Sequence, residues 1–270
     1  MNPLFLGWQA AESRRWYPIG RLISYREGYQ FTYTRGALAA RTDAGFDFLP
    51  SFPVIGAIYR SEQLFPLFRN RLLPRSRPDY SAFLHWMNVN EQNSDPMTLL
   101  SRSGGQKATD NLLVFHSPEK DEDGRYSIRF FPHGLRHMPA ASVERAGRLE
   151  AGESLLLMHD LQNPKDPNAL MLRTEGVQQS DTHLLGFVPR YLIEDIMTLL
   201  TRIPDLPRTP IVTVERMNPP PAPLQYRLLC RAVLPWPAGF TPFSGDEFEE
   251  IVEADDPRLE AVPSLSSHER

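Results

Sequence analysis

The sequence predicts an α+β protein in two parts: a mixed first half, and a second half built mainly of short strands with one helix, the makings of a small barrel. Three observations lead there. Residues 17–34 alternate apolar and polar side chains on either side of Arg26-Glu27-Gly28, which is the pattern of a hairpin. The run SPEKDEDG at 117–124 is charged and turn-rich, and it places a linker at 118–124 between two domains. Beyond it, short apolar runs recur with turn residues between them.

In the first half, 48–59 is rich in proline and aromatic residues and predicts loop or extended chain. Asp79 caps an expected helix to about Val89, with Phe83, Leu84 and Met87 on one face. Asp95-Pro96 is a stronger start, a capping side chain followed by proline at the first helical position, and Gly104-Gly105 is its stop. The stripe Phe65, Phe68, Leu72 suits either core packing or a partner groove. A strand is expected over Leu112–His116.

In the second half, strands are expected at 126–131, 154–159, 169–173, 184–188, 211–216 and 226–234. The helix lies at about 190–201, where Leu192, Ile193, Ile196, Met197 and Leu200 form one apolar stripe. From Pro237 the apolar periodicity stops, and residues 237–270 are expected to be an acidic, disordered tail.

Composition narrows the function. Net charge is −4, but the tail holds nine acidic side chains against two arginines, so residues 1–236 carry a slight positive excess. Only three basic residues are lysines, Lys107, Lys120 and Lys165. Arginine suits phosphate recognition, although a GC-rich genome gives the same bias. The single cysteine, Cys230, excludes an intrachain disulfide and a Cys-rich zinc cluster. No apolar run is long enough to cross a bilayer, and the first fifteen residues lack the pattern of a secretory signal, so the expected location is cytoplasmic.

The stretch LQNPKDPNALML at 161–172 sets Asn163, Asp166 and Asn168 in a turn braced by Pro164 and Pro167. With GLRHM at 134–138 and LLGFVPRYL at 184–192, it resembles the HIRAN domain, over about 125–236. That resemblance implies an OB-like β-barrel that engages single-stranded DNA or a DNA 3′ end. Carried onto this chain, it implies that Arg136 reaches the backbone and that Asp166 accepts a hydrogen bond from a terminal 3′-hydroxyl. His137 and Lys165 stand where the family places stacking aromatics; His137 can still stack, whereas Lys165 offers charge alone. Asn163, Phe187, Arg190 and, by a looser alignment, Tyr226 complete the implied DNA-binding set. From the residues alone, Asn163, Asp166 and Asn168 are equally explained as side chains that satisfy the turn's own backbone.

Residues 1–117 resemble the N-terminal subdomain of HipA-type kinases, through Gly20–Leu22, Phe31–Tyr33, LPSFPV at 49–54, LFPLFRNRLLP at 64–74 and DPMTLLSRSGGQKATDNLLVF at 95–115. That implies a protein-binding domain whose partner is a HipA-type kinase, a helicase or a nuclease. No kinase core follows it here. Phosphate-loop, nucleophile-elbow and zinc-protease motifs are also missing, and His133 and His137 are four apart in a segment broken by glycine and proline, which argues against a metal pair. The expectation is therefore a non-enzymatic DNA-binding adaptor without cofactor or metal. An antitoxin-like restraint on a kinase and an accessory to a helicase are the alternatives.

Overall fold

In the computed structural model, residues 3–176, 181–202 and 211–252 are described. The first part opens with β1 (Leu4–Gln9), β2 (Trp16–Tyr25) and β3 (Gly28–Tyr33). α1 (Arg35–Ala44), β4 (Tyr59–Ser61), α2 (Pro66–Arg69), α3 (Tyr80–Trp86), α4 (Pro96–Ser103) and β5 (Leu112–His116) follow. The strands form one antiparallel sheet in the order β4-β3-β2-β1-β5. The predicted hairpin is β2–β3, with Tyr25 opposite Gly28. Gly28 is required there: its φ is 149°, and a Cβ would come within 2.2 Å of the Ser61 carbonyl oxygen. Asp95 caps α4 by accepting from the Met97 and Thr98 N–H groups at 3.0 and 3.1 Å, and Gly104 ends it in the left-handed region. The Phe65–Leu72 stripe packs on the core of this sheet.

The second sheet contains β6 (Glu119–Lys120), β7 (Tyr126–Phe130), β8 (Ser154–His159), β9 (Leu170–Thr174), β10 (Leu184–Phe187), β11 (Val212–Met217) and β12 (Leu228–Leu234). Its order is β10-β9-β8-β11-β12-β7-β6, antiparallel throughout. Two α-helices accompany it, α5 (Ala140–Ala146) and α6 (Ile193–Arg202), where one was expected. The barrel is not closed. After β7 the chain meets Pro132, which has no N–H to donate, and Gly134, whose φ of 85° leaves the extended region, and His133 pairs with Phe187 on β10 as an isolated bridge. Residues 118–124, expected as a linker, instead form β6 and the turn into β7. There Asp121 accepts from the Asp123 and Arg125 N–H groups.

β1 and β5 bury both of their faces. Leu4, Leu6, Leu112 and Val114 point into the core of the first sheet, while Phe5, Leu113 and Phe115 point into the core of the second. Period-two alternation accounts for this division, and it explains why LLVF shows no polar positions. Phe5 and Phe115 meet Phe243 edge-on at 5.6 and 5.5 Å, Phe243 stacks on Phe248 at 4.7 Å, and Tyr191 stacks on Phe115 at 4.2 Å.

The expectation of disorder from Pro237 is therefore corrected for residues 237–252, which run as an ordered strap across both sheets. Phe240 and Phe243 are buried. The Arg35 N–H donates to the Glu249 carbonyl and the Ile251 N–H to the Tyr33 carbonyl, while Arg21 pairs with Glu250 at 2.6 Å. The acidic count had masked three phenylalanines that anchor the segment. Residues 253–270 of the expected tail lie outside the described residues.

The strap is also held by Asp195 on α6, a buried carboxylate that accepts from the Phe243 N–H at 3.2 Å. Burial raises its pKa to about 7, with Glu194 adding to the rise and the Phe243 N–H opposing it. The folded value lies above the unfolded value near 4, so this group favours folding at acid pH, and its contribution is lost as pH rises from about 4 through about 7. Asp195→Asn is expected to melt higher than the wild type at pH 8, with the gap narrowing towards pH 5. Thermal unfolding of the two proteins at both pH values measures this; a gap that is constant with pH would contradict it.

Candidate nucleic-acid interface

The turn between β8 and β9 organises itself. The Asn163 side-chain carbonyl accepts from the Lys165 and Asp166 N–H groups at 3.0 and 3.1 Å, and its amide donates to Asp160 at 2.9 Å. Asp166 Oδ1 accepts from the Asn168 N–H at 3.0 Å, and the Ala169 N–H donates to the Asp166 carbonyl. Asn163 is thus occupied by the turn. Its carbonyl and one amide N–H shape the corner.

Asp166 does more. Its Oδ2 pairs with Arg190 Nε at 3.0 Å, across the gap between this turn and the segment leaving β10. The Asp166 side chain keeps 14% of its exposure and that of Arg190 28%. A carboxylate has about four lone-pair sites, and two hydrogen bonds leave it capacity to accept a donor from outside. Arg190 opens a 3-10 turn, Arg190–Leu192, behind Pro189, and the neighbouring Val188 N–H donates to the Leu170 carbonyl. These bonds fix the β10 exit against β9.

The third piece is the chain after β7. His133 and Phe187 exchange two backbone hydrogen bonds of 2.8 Å, and Gly186 makes this possible with a φ of 111°. A Cβ on Gly186 would stand 2.6 Å from the His133 carbonyl oxygen. The half-buried Phe187 ring lies against Gly134. Beyond that glycine a 3-10 turn, Leu135–His137, buries Leu135 and leaves Arg136 and His137 exposed. Arg136 Nε donates to His137 Nε2 at 3.0 Å, a bond that requires a neutral imidazole at that nitrogen. His133 is half-buried in this bridge, and desolvation lowers its pKa to about 4.

Segment 187–190 therefore ties the two halves of the site, with Phe187 bridged to His133 and Arg190 paired with Asp166. The arginine that Asp166 contacts is Arg190. Lys165 is exposed on the same turn. Tyr226 does not supply a stacking face. Its ring packs edge-on against Phe131 and Phe83 at 5.3 and 6.3 Å, and its hydroxyl donates to the Ser103 carbonyl at 3.3 Å. β12 starts only at Leu228, and the turn before it aims Tyr226 at α3 and α4. Sequence reasoning also missed Leu161, 75% exposed at the start of the Asn163 turn, and Met158, exposed on β8. Leu161 is thus an open apolar side chain on the turn that also carries Lys165.

Residues 126–236 match the model of the family described as "HIRAN domain". No protein with a curated description matches the chain. Among solved structures, a crystal structure of a protein from Lactobacillus plantarum, a structural-genomics target, aligns with 41% of this chain and 99% of its own at 18% identity, with a TM-score of 0.28.

Because Gly186 joins both halves of the site, Gly186→Ala should lose the His133–Phe187 bridge. A strained φ and a backbone clash together cost on the order of 1–3 kcal/mol. Chemical denaturation should register that loss, and hydrogen exchange should show the amides of His133 and Phe187 losing protection. Unchanged protection at both would contradict the bridging role.

Proposed function

From the HIRAN domain that residues 126–236 form, we propose that this chain is a DNA-binding adaptor whose second sheet engages single-stranded DNA at a 3′ end. A HIRAN domain points to DNA binding in general. The observation that carries the finer reading is Asp166, a carboxylate kept partly open at a braced corner and locked by Arg190. A carboxylate repels phosphates, so in a DNA site it contributes discrimination rather than bulk affinity. A chain terminus differs from an internal position by a free hydroxyl, which can donate to Asp166. Exposed Arg136 and Lys165 supply phosphate contacts; His137, Phe187 and Leu161 supply surfaces for bases.

For residues 1–117 we propose contact with a protein partner, a HipA-type kinase, a helicase or a nuclease. The support is the likeness of its motif run to the HipA subdomain. A role in DNA repair or phage defence would follow from the partner's identity.

The test compares oligonucleotides that differ only in a 3′-hydroxyl or a 3′-phosphate. A hydrogen bond to a charged group is worth about 1.5–3 kcal/mol, so the hydroxyl form should bind roughly ten-fold tighter or more. Asp166→Asn should erase most of that preference, while Arg136→Ala weakens both forms. Equal affinity of the wild type for the two ends, measured by fluorescence anisotropy at low salt, would remove end recognition.

A further inference from the structure

The β1–β2 turn of the first sheet, residues 10–15, reaches the candidate site of the second. Arg190 Nη1 donates to the Arg14 carbonyl at 3.4 Å, while the Nε of the same guanidinium holds Asp166. One planar group thus spans the turn from the first sheet and the proline-braced corner of the second. The Arg14 carbonyl also accepts from Gln9 Nε2 at 3.0 Å, and the Arg14 N–H donates to the Ala10 carbonyl at 3.0 Å. These bonds hold Arg14 at a φ of 57°, a left-handed backbone that a long side chain rarely adopts.

Two tethers make the placement rigid. Trp16, at the base of the turn, packs against the core of the second sheet, and Tyr191, next to Arg190, stacks on Phe115 of β5. The turn carries Glu12, Ser13, Arg14 and Arg15, all exposed. Arg15 lies over the Tyr17 ring and pairs with Asp43 at 3.4 Å, so its charge is partly spent within the first sheet. The guanidinium of Arg14 makes no hydrogen bond or ion pair among the described residues.

We propose that Arg14 belongs to the nucleic-acid interface and binds a phosphate of the strand leading away from the bound terminus. This rests on the reading that the second sheet binds single-stranded DNA. The first sheet then supplies part of the binding track itself, and the strained turn sets the backbone of an exposed cation against Arg190. Length discrimination follows: a short oligonucleotide occupies the Asp166 corner alone, whereas a longer one also reaches Arg14.

The experiment uses the full chain and 3′-hydroxyl oligonucleotides of about four and about twelve nucleotides, spanning the lower range of single-stranded site sizes. Arg14→Gly keeps the backbone conformation and its carbonyl while removing the charge; Arg14→Lys keeps the charge. Arg14→Gly should weaken the longer oligonucleotide several-fold more than the shorter. It should also lower the slope of log affinity against log salt by about 0.7, the value for one lost single-strand phosphate contact. Arg14→Lys should restore most of that slope. If the wild type binds and Arg14→Gly keeps its salt slope and length dependence, Arg14 is not in the interface. If the wild type binds neither length, the underlying reading falls, and this inference with it.

Discussion

Everything about this molecule's shape depends on a cluster of five aromatic rings, Phe5, Phe115, Tyr191, Phe243 and Phe248. They come from four separate stretches of chain, which belong to three structural units. Phe5 and Phe115 are the outward faces of two neighbouring strands of the first sheet. Tyr191 starts the turn into α6, and Phe243 and Phe248 belong to the strap. Burying aromatic surface between the two sheets is favourable, and the ring contacts add to it. It converts what reads as two domains joined by a linker into two sheets that share a core.

The location of the cluster has consequences for the site. Tyr191 is flanked by Arg190, so the ring that locks the sheets together also fixes the guanidinium that locks Asp166. Packing and recognition are therefore linked through one residue step. The carboxylate is held at a braced corner, with little freedom left to lose on binding. The price of this rigidity is visible at Gly186, Gly134 and Arg14, three positive-φ positions around the same corner.

Much of this was legible in the sequence. Alternation placed β2 and β3, short apolar runs placed β5 and most strands of the second sheet within a residue or two, and Asp95-Pro96 with Gly104 bounded α4. Asp166 and Arg190 were both singled out as site residues. What could not be read was which arginine faces the carboxylate, because that depends on how the segment after β10 meets the turn between β8 and β9, a long-range contact with no local signature. Tyr226 was misplaced for a similar reason: strand period says which face a side chain takes, but its strand begins two residues later. The strap was hidden because an excess of acidic residues reads as solvated chain, even though three phenylalanines suffice to anchor it. α5 is only seven residues long and carries no apolar stripe beyond Val143 and Ala146, so periodicity gave no signal.

The central claim is that the Asp166–Arg190 corner is where a DNA terminus sits. The most direct measurement follows the arginine Nε–H and backbone amide signals of the isotope-labelled chain by NMR, during titration with a short 3′-hydroxyl oligonucleotide. The account predicts that the Arg190 Nε–H and the amides of 133–137 and 163–168 shift together and saturate at one concentration. Shifts confined to another face of the second sheet, with the Arg190 signal unmoved, would contradict it.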